Sequence, residues 1–202
     1  MKKLISILFF ALFCITITFA QAPKKPTSGD ICESLQKLNF LGTVLYIAAH
    51  PDDENTRLIS YFANDVKART AYLSITRGDG GQNLIGSELS ELLGVIRTQE
   101  LLAARRIDGG EQFFTRANDF GYSKNPDETL NFWNKDAVLN DVVATIRKLK
   151  PDVIINRFNH KSPGTTHGHH TASAMLGVEA FDLASDKTYK THLQNDAVWQ
   201  PK

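Results

Sequence analysis

The stretch TVLYIAAHPDDE, residues 43–54, decides the fold. It begins with an almost continuous apolar, β-prone run with little alternation, which predicts a strand buried on both faces of a parallel sheet. A histidine, a proline and three acidic residues follow directly. Because open α/β sheets bind ligands at the carboxyl ends of their strands, we expect His50, Asp52 and Asp53 to lie at a binding edge.

Helical and strand-like segments alternate along the rest of the chain. Residues 54–64 and 87–107 carry apolar side chains at helical spacing, and residues 70–76 are rich in β-branched and aromatic ones. This β-α-β-α order predicts a doubly wound, mostly parallel, Rossmann-like α/β sheet with helices on both faces. The other predicted elements are a strand over 111–115, a polar loop over 116–131, a helix over 135–150, a strand over 152–156 and a helix over 168–184.

The long helix over 87–107 is predicted to begin at Ser87, a residue type that caps helices well. We expect one apolar stripe along it to face the core. The stripe consists of Leu89, Leu92, Leu93, Ile96, Ala103 and Ile107.

The first twenty residues differ in kind from the rest. Lys2 and Lys3 precede a mostly apolar run that ends near Ala20, a pattern typical of a secretory signal peptide. The run is short and only its amino side is strongly basic, which argues against the alternative of a retained membrane anchor. We therefore predict export to the periplasm, the outer surface or the medium. Residues 1–20 would be the signal peptide, 21–40 a leader and 41–202 the functional domain, with further protein expected after Lys202.

Charge and cysteine content narrow the classes of partner. Removal of residues 1–20 takes away two of the 23 basic residues and none of the 22 acidic ones, which leaves a net charge of −1. Such a chain has no electrostatic basis for binding nucleic acid or an anionic membrane. One of the two cysteines, Cys14, lies in the signal peptide, so Cys32 has no partner for an internal disulfide.

A glycine-rich loop, Arg77-Gly78-Asp79-Gly80-Gly81, follows the second predicted strand. A phosphate-binding role would make the chain a nucleotide-binding α/β protein, but neither a G-x-G-x-x-G nor a P-loop lysine motif is present. A wide turn that brings backbone close to a pocket fits these residues better.

His50, Asp53 and His170 are the residues best placed to share a metal ion. Catalytic zinc usually takes three histidine or carboxylate ligands and leaves a position for water. Pro51 suits an early helical position, so the turn after the strand can aim His50 and Asp53 at one ion. His170 follows the fourth predicted strand, within THGHH, residues 166–170. The ordinary structural alternatives are a helix-capping aspartate and a histidine that only forms hydrogen bonds.

AHPDDE at residues 49–54 and HGHH at residues 167–170 together resemble the signature of the PIG-L/LmbE-like family of zinc-dependent N-deacetylases. The loop over 76–80 agrees with this resemblance, as do Arg97 and Glu100 on the long helix. The resemblance extends over roughly residues 43–184, and it implies the same α/β fold.

The resemblance also implies a reaction and the residues that carry it out. His50, Asp53 and His170 would bind Zn²⁺, and Asp52 would be the general base that deprotonates the zinc-bound water. His167 would stabilise the oxyanion or protonate the leaving amine. The implied substrate is an N-acetylated amino sugar or glycoconjugate, which would lose its acetyl group by hydrolysis of a linear amide.

Arg97 and Asp119 match the family positions that contact the sugar. Two positions depart from the family pattern. His169 replaces an aspartate that would orient a neighbouring histidine, and Thr165 replaces a tyrosine. In a helical first turn His169 is expected to point about 100° away from His170, on whose face His167 lies. These departures support an alternative: a zinc-holding carbohydrate-binding domain without turnover.

Overall fold

The computed structural model describes residues 25–193 and 197–202; the predicted signal peptide lies outside the described residues. Helix α1 (Ser28–Lys37) comes first and has no buried residue. Its start is capped reciprocally, because the Thr27 amide donates to Asp30 Oδ2 (2.7 Å) and the Asp30 amide donates to Thr27 Oγ1 (3.2 Å). This helix lies within residues 21–40, where the sequence predicts a short helix or an irregular cap over residues 31–40.

The residues from 36 onward form one compact unit around a parallel sheet. In the described chain this sheet has four strands in the order β3-β2-β1-β4, and each neighbouring pair is parallel. The predicted α/β class is thereby confirmed. The strands are β1 (Thr43–Ala48), β2 (Arg69–Ser74), β3 (Glu111–Phe114) and β4 (Val153–Asn156).

Helices cover both faces of this sheet. The helices after α1 are α2 (Thr56–Ser60), which continues as a π-helical turn (Tyr61–Asp65), then α3 (Glu91–Asp108), α4 (Pro126–Trp133), α5 (Lys135–Leu149) and α6 (Gly168–Ser185). Within the described residues, no helix has the length and apolar character needed to cross a bilayer.

Strand β1 is the centre of the core because all six of its residues are buried. Leu45 and Ile47 face a cluster that contains side chains of α5 and α6. Tyr46 and Ala48 face the opposite side, where they meet Ile59 of α2 and residues of α3. Full burial of a Leu or Ile side chain contributes about 1.5–3 kcal/mol, so the apolar run predicted from the sequence anchors both layers.

Helix α3 differs from its prediction in its start and in its buried face. It begins at Glu91, and Ser90 rather than Ser87 is the N-cap residue. Most of the predicted stripe is exposed, including Leu89 (63%), Leu92 (65%) and Ile107 (85%). Of the stripe, Leu93 is buried as predicted, and the other buried positions of α3 are Gly94, Leu101, Arg105 and Asp108.

The reason for this difference is that α3 packs through a small residue and an internal ion pair. A Cβ at Gly94 would lie 3.1 Å from the Cβ of Asp79, so glycine allows the helix to approach the loop after β2. Arg105 is buried because it donates to both carboxylate oxygens of Asp108, at 3.1 and 2.5 Å. Because neither a glycine nor an ion pair is part of an apolar pattern, the spacing of apolar residues could not predict this buried face.

Helix α4 occupies the end of the stretch predicted as a polar loop. The Asn125 side chain accepts a hydrogen bond from the Glu128 amide (2.9 Å), and Pro126 takes the first helical position. This Asn-Pro start is a recognised N-terminal signal that the sequence prediction did not use.

The topology places one crevice at the carboxyl end of β1. The chain leaves β1 toward β2 and β3 on one side and returns with β4 on the other. Ligands of open α/β sheets bind where the strand order reverses in this way. His50 follows β1 and the histidine-rich segment follows β4, so both predicted groups lie at this crevice.

Candidate metal centre and cleft

A tight turn holds His50 and Asp53 together. The Asp53 amide donates to the His50 carbonyl at 3.2 Å, which closes a turn with Pro51 at its second position. The Asp53 side chain returns the interaction, because Oδ2 accepts from the His50 amide at 2.7 Å. The buried hydroxyl of Tyr72 also donates to the His50 carbonyl. These bonds hold the backbone of the turn and the Asp53 carboxylate in place.

His170 reaches the same point from α6. Its Nε2 lies 3.4 Å from Asp53 Oδ1, while His50 Nδ1 lies 3.2 Å from Asp53 Oδ2. Phe158, just after β4, stacks on the His170 ring with centroids 3.9 Å apart and planes 5° apart. The stacking restricts the ring to one plane that points its Nε2 at the carboxylate.

These three residues fit a zinc ion by donor type and by spacing. Two imidazoles and one carboxylate form a typical catalytic zinc set. Ligand atoms bound about 2.0–2.1 Å from a tetrahedral zinc lie about 3.3–3.4 Å from one another, close to the observed 3.2 and 3.4 Å. A second group of potential ligands in the described residues, His50, His167 and His169, also lies within 4.8 Å.

The protonation preferences of these side chains suit metal binding. Burial acts to raise the pKa of Asp53, but hydrogen bonds from His50 and the charges of His50 and His170 outweigh it and lower the pKa below its usual value. Burial lowers the pKa of His170, which favours the neutral ring that a metal requires.

Asp52 lies beside the ligand pair with its side chain 72% exposed. Arg97 of α3 pairs with it, since Nη2 is 3.2 Å from Asp52 Oδ1. The guanidinium lies over the glycine loop: a Cβ at Gly78 would be 2.7 Å from Arg97 Nη1, and one at Gly81 3.0 Å. Gly78 also has a φ of +70°, which favours glycine. The loop is therefore the predicted wide turn, and its glycines make room for Arg97.

Asp119 is nearly buried, with a side chain 5% exposed. Its Oδ2 lies 3.9 Å from His50 Nε2, and its Oδ1 lies 3.7 Å from His169 Nδ1 and accepts from the Gly121 amide at 2.9 Å. A Cβ at Gly80 would lie 2.5 Å from the Asp119 carbonyl oxygen, so the glycine loop and the Asp119 loop touch through backbone. Asp119 thus lies close to the Nε2 side of the His50 ring and also lines the cleft.

His167 is the N-cap residue of α6. Its Nδ1 accepts from the His169 amide at 3.1 Å, so the neutral ring carries its proton on Nε2. Burial, together with the charge of His50, lowers the pKa of His167 and favours this neutral form. The ring therefore presents an N–H donor beside the metal ligands, as the predicted role in stabilising an oxyanion requires.

His169 is completely buried, between the rings of Phe120 and Trp133. Its Nδ1 lies 2.8 Å from His50 Nε2. Burial, and then the neighbouring imidazoles, lower its pKa to about 2, so the ring is neutral. The contact with His50 was not predicted, because helical spacing relates His169 only to residues of its own helix.

A cleft of about 920 Å³ opens beside the candidate metal site. Its lining includes the polar side chains of His50, Asp52, Arg97, Asp119 and His167, together with polar and apolar side chains of α3 and the preceding loop. Sequence analysis missed Tyr122, which lines the cleft and packs edge-on against His167 at 4.9 Å. No sequence signal marks Tyr122, since it lies in an irregular segment.

The sequence of the segment that contains the candidate metal site matches the model of a known protein family. Residues 45–181 match the model described as PIG-L, GlcNAc-PI de-N-acetylase. The chain belongs to the PIG-L family. This match includes every residue of the candidate metal site and the cleft, from His50 to His170, and it confirms the resemblance inferred from the motifs. Among curated proteins, none matches the sequence of this chain.

Solved structures share the fold of this PIG-L family member. The 4-carboxy-2-hydroxymuconate hydratase GalB of Pseudomonas putida matches with a TM-score of 0.59 and 20% identity, over 79% of this chain and 62% of its own. The N,N'-diacetylchitobiose deacetylase of Pyrococcus horikoshii matches with 0.59 and 18%, over 83% and 63%. A conserved protein of Thermus thermophilus, TT1542, matches with 0.52 and 20%, over 80% and 63%.

The chain thus spans somewhat under two thirds of the length of these structures. They include a hydratase and a deacetylase, so the likeness shows the fold and leaves the reaction to the chemistry of the site.

Proposed function

We propose that this chain is a zinc-dependent hydrolase that removes the acetyl group from an N-acetylated amino sugar or glycoconjugate. The observation that carries the proposal is the convergence of His50 Nδ1, the Asp53 carboxylate and His170 Nε2, next to a cleft that His50 and a further carboxylate, Asp52, line. Membership of the PIG-L family, whose model is described as a de-N-acetylase, supports the same reaction.

Zn²⁺ bound by His50, Asp53 and His170 would supply Lewis-acid polarisation of the amide carbonyl and would acidify water. The chain's own residues would then handle the protons. Asp52 is the one acidic residue of the AHPDDE motif that is both exposed to the cleft and free of a role as ligand, so it accepts the proton of the attacking water. General-base assistance of this kind is worth about 10²–10⁴ in rate.

Three further residues complete the proposed reaction. His167 directs its Nε2–H at the oxygen that gains charge, and the proton that Asp52 takes from the attacking water passes on to the leaving amine. Arg97 holds Asp52 in place and, with Asp119, presents polar groups to the hydroxyls of the sugar. The products are acetate and a free amine.

Export is proposed on the basis of the signal-like sequence of residues 1–20. An exported enzyme would meet an extracytoplasmic glycan or glycoconjugate rather than an intracellular precursor. Mass spectrometry of the mature amino terminus after expression in a secreting host tests this, with Gln21 as the expected first residue. An intact Met1 would contradict it.

The alternative, a zinc-holding carbohydrate-binding domain without turnover, is favoured by one observation: the ion pair with Arg97 occupies Asp52, the proposed base. Metal analysis coupled to acetate release from a panel of N-acetylglucosamine derivatives separates the two functions. Zinc at one ion per chain with acetate release supports the hydrolase. Zinc with sugar binding but no release across the panel supports the binding domain.

The variant Asp52→Asn tests the mechanism within the same assay. This variant should still bind zinc, but its turnover should fall about 10²–10⁴-fold. The variant His50→Ala should lose both zinc binding and turnover. Asp136→Asn, an exposed carboxylate of α5 outside the cleft, is the matched control. Unchanged turnover in Asp52→Asn would remove Asp52 from the mechanism.

A further inference from the structure

Tyr122 presents a large aromatic ring to water where it lines the cleft. The residue is 71% exposed, the highest value for any aromatic residue in the part of the chain that the structure describes. Its ring lies edge-on against His167, with the centroids 4.9 Å apart. A single exposed ring is common on protein surfaces. What distinguishes Tyr122 is that the fold holds the backbone on both sides of it.

The loop that contains Asp119 holds the backbone on the amino side of Tyr122. The Gly121 amide donates to Asp119 Oδ1 at 2.9 Å, and the Asp119 amide donates to Asp79 Oδ1 at 3.3 Å. A Cβ at Gly80 would lie 2.5 Å from the Gly121 amide nitrogen, so the glycine-rich loop packs directly against this backbone.

The start of α6 holds the backbone on the carboxyl side. The carbonyl of Ser123 accepts from the Gly168 amide at 2.8 Å, and the Ser123 hydroxyl donates to Glu128 Oε2 at 2.7 Å. A Cβ at Gly168 would overlap the Asn125 carbonyl oxygen, so α6 begins in close contact with this segment. Tyr122 is therefore an exposed side chain on backbone whose position is set by its buried neighbour, Ser123, which is 1% exposed.

The same turn of α6 sets the distance from Tyr122 to the proposed metal site. The ring of His167 lies 5.2 Å from the ring of His50 and 5.3 Å from that of His170, and Tyr122 lies next to His167. A ligand group over Tyr122 is thus one ring beyond the metal ligands. In an acetamido sugar, the centre of the sugar ring lies about 4 Å from the amide carbon, because two C–N bonds join them. The spacing suits a substrate whose amide reaches the metal while its sugar ring contacts Tyr122.

The cleft offers the two kinds of surface that a sugar ring presents in return. Polar side chains that line it, among them Gln82, Arg97, Glu100 and Asp119, can form hydrogen bonds with hydroxyl groups. One face of a pyranose ring consists of C–H bonds, whose hydrogens carry a small positive charge. The negative face of an aromatic ring attracts such hydrogens, and the contact also removes apolar surface from water. An open-chain acetamide with the same hydroxyls has no rigid face of this kind.

We propose that Tyr122 is a specificity-determining residue whose aromatic ring packs against the C–H face of the sugar ring that carries the acetamido group. This inference rests on the proposed function, and it narrows the substrate to acetamido groups on a closed pyranose ring. The ring of Tyr122 makes the contact, and its hydroxyl is not required.

The test compares the binding of two ligands. Methyl N-acetyl-β-glucosaminide has a closed ring, whereas N-acetylglucosaminitol has the same acetamido group on an open polyol chain. Ligand-observed NMR titration of the metal-free chain gives both dissociation constants without hydrolysis. Wild type should bind the closed ring about 10-fold more tightly, which is the size of effect expected for one aromatic stacking contact.

Tyr122→Ala should remove this preference, because the dissociation constant of the closed ring rises about 10-fold while that of the open chain stays within about 2-fold. Tyr122→Phe should keep the preference. Tyr61→Ala, which removes an exposed aromatic ring outside the cleft, is the matched control and should bind both ligands like wild type. An equal loss of affinity for both ligands in Tyr122→Ala would overturn the proposal, since a purely structural role predicts it. A Tyr122→Phe variant as weak as Tyr122→Ala would also overturn it, because the hydroxyl would then make the contact.

Turnover of the zinc-loaded chain separates this inference from the proposed function. With the closed-ring substrate, Tyr122→Ala should raise KM about 10-fold and leave kcat within about 3-fold, because the contact is made in the ground state and in the transition state alike. If wild type releases acetate but Tyr122→Ala keeps the preference for the closed ring, only the role of Tyr122 fails. If the preference depends on Tyr122 but no acetate is released, the contact is supported and the hydrolase fails. If wild type binds neither ligand, with zinc or without it, both fail.

Discussion

Replacement of Tyr72 by phenylalanine removes one hydrogen bond that supports the proposed metal site. Tyr72 is fully buried on β2, and its hydroxyl donates to the carbonyl of His50. The phenyl ring would keep the edge-on contact with Tyr46 (5.9 Å) and the position under Arg105 (5.4 Å). The substitution therefore isolates the hydroxyl group.

The expected cost follows from what the His50 carbonyl retains. A typical hydrogen bond contributes about 0.5–1.5 kcal/mol net, and a buried acceptor left without any partner costs about 1–3 kcal/mol. The His50 carbonyl keeps the Asp53 amide at 3.2 Å, so it does not become an orphan. We therefore expect a loss of about 1 kcal/mol in the free energy of unfolding, which corresponds to a drop of about 2–4 °C in Tm for a domain of this size.

Urea denaturation of the metal-free chain measures this loss, with the requirement that the m value stays unchanged. Tyr61→Phe is the control, since Tyr61 is 52% exposed and should change the unfolding free energy by less than about 0.3 kcal/mol. If Tyr72→Phe is as stable as Tyr61→Phe, the hydroxyl does not support the His50 turn and the reasoning is refuted.

Two further predictions concern packing and acid stability. Gly177→Ala should destabilise the chain by about 1–2 kcal/mol, because the added Cβ would overlap Asn156 Oδ1. The free-energy cost of this overlap exceeds the gain of about 1 kcal/mol in helix propensity that alanine brings. The double variant with Asn156→Ala should recover that loss, and an uncorrected loss in chemical denaturation would contradict the clash. In the folded chain, burial is the main cause that lowers the pKa values of His167, His169 and His170. The unfolded chain therefore takes up protons on these residues first, near the unfolded pKa of about 6.5. The folded state keeps its full stability above that pH and loses stability as the pH falls toward the folded pKa values. The Tm of the metal-free chain should fall between about pH 7.5 and about pH 5.5, and a constant Tm would count against the burial of these rings.

The sequence predicted the parts of the site that depend on local order. The buried run of β1 followed by a proline turn is enough to place His50, Asp52 and Asp53 together at a strand end. The order of strands and helices is enough to bring the segment after β4 to the same edge. For these reasons the fold class and the family were both predicted correctly.

The parts that sequence analysis missed depend on contacts between distant segments. The contact between His169 and His50 joins the first turn of α6 to the turn after β1, and Asp119 approaches both rings from a third segment. The buried face of α3 was predicted wrongly apart from Leu93, because a glycine and an arginine–aspartate pair occupy buried positions outside the predicted apolar stripe. The start of α4 at Asn125 and Pro126 was predictable, since its signals are local.

The central claim is that one divalent ion binds between the turn after β1 and the first turn of α6. Anomalous diffraction at the zinc edge, from crystals of the chain grown with Zn²⁺, locates such an ion directly. We predict a single strong peak about 2.0–2.2 Å from His50 Nδ1, an Asp53 carboxylate oxygen and His170 Nε2. A crystal without a peak at this position, or with the ion among His50, His167 and His169 instead, would contradict the account.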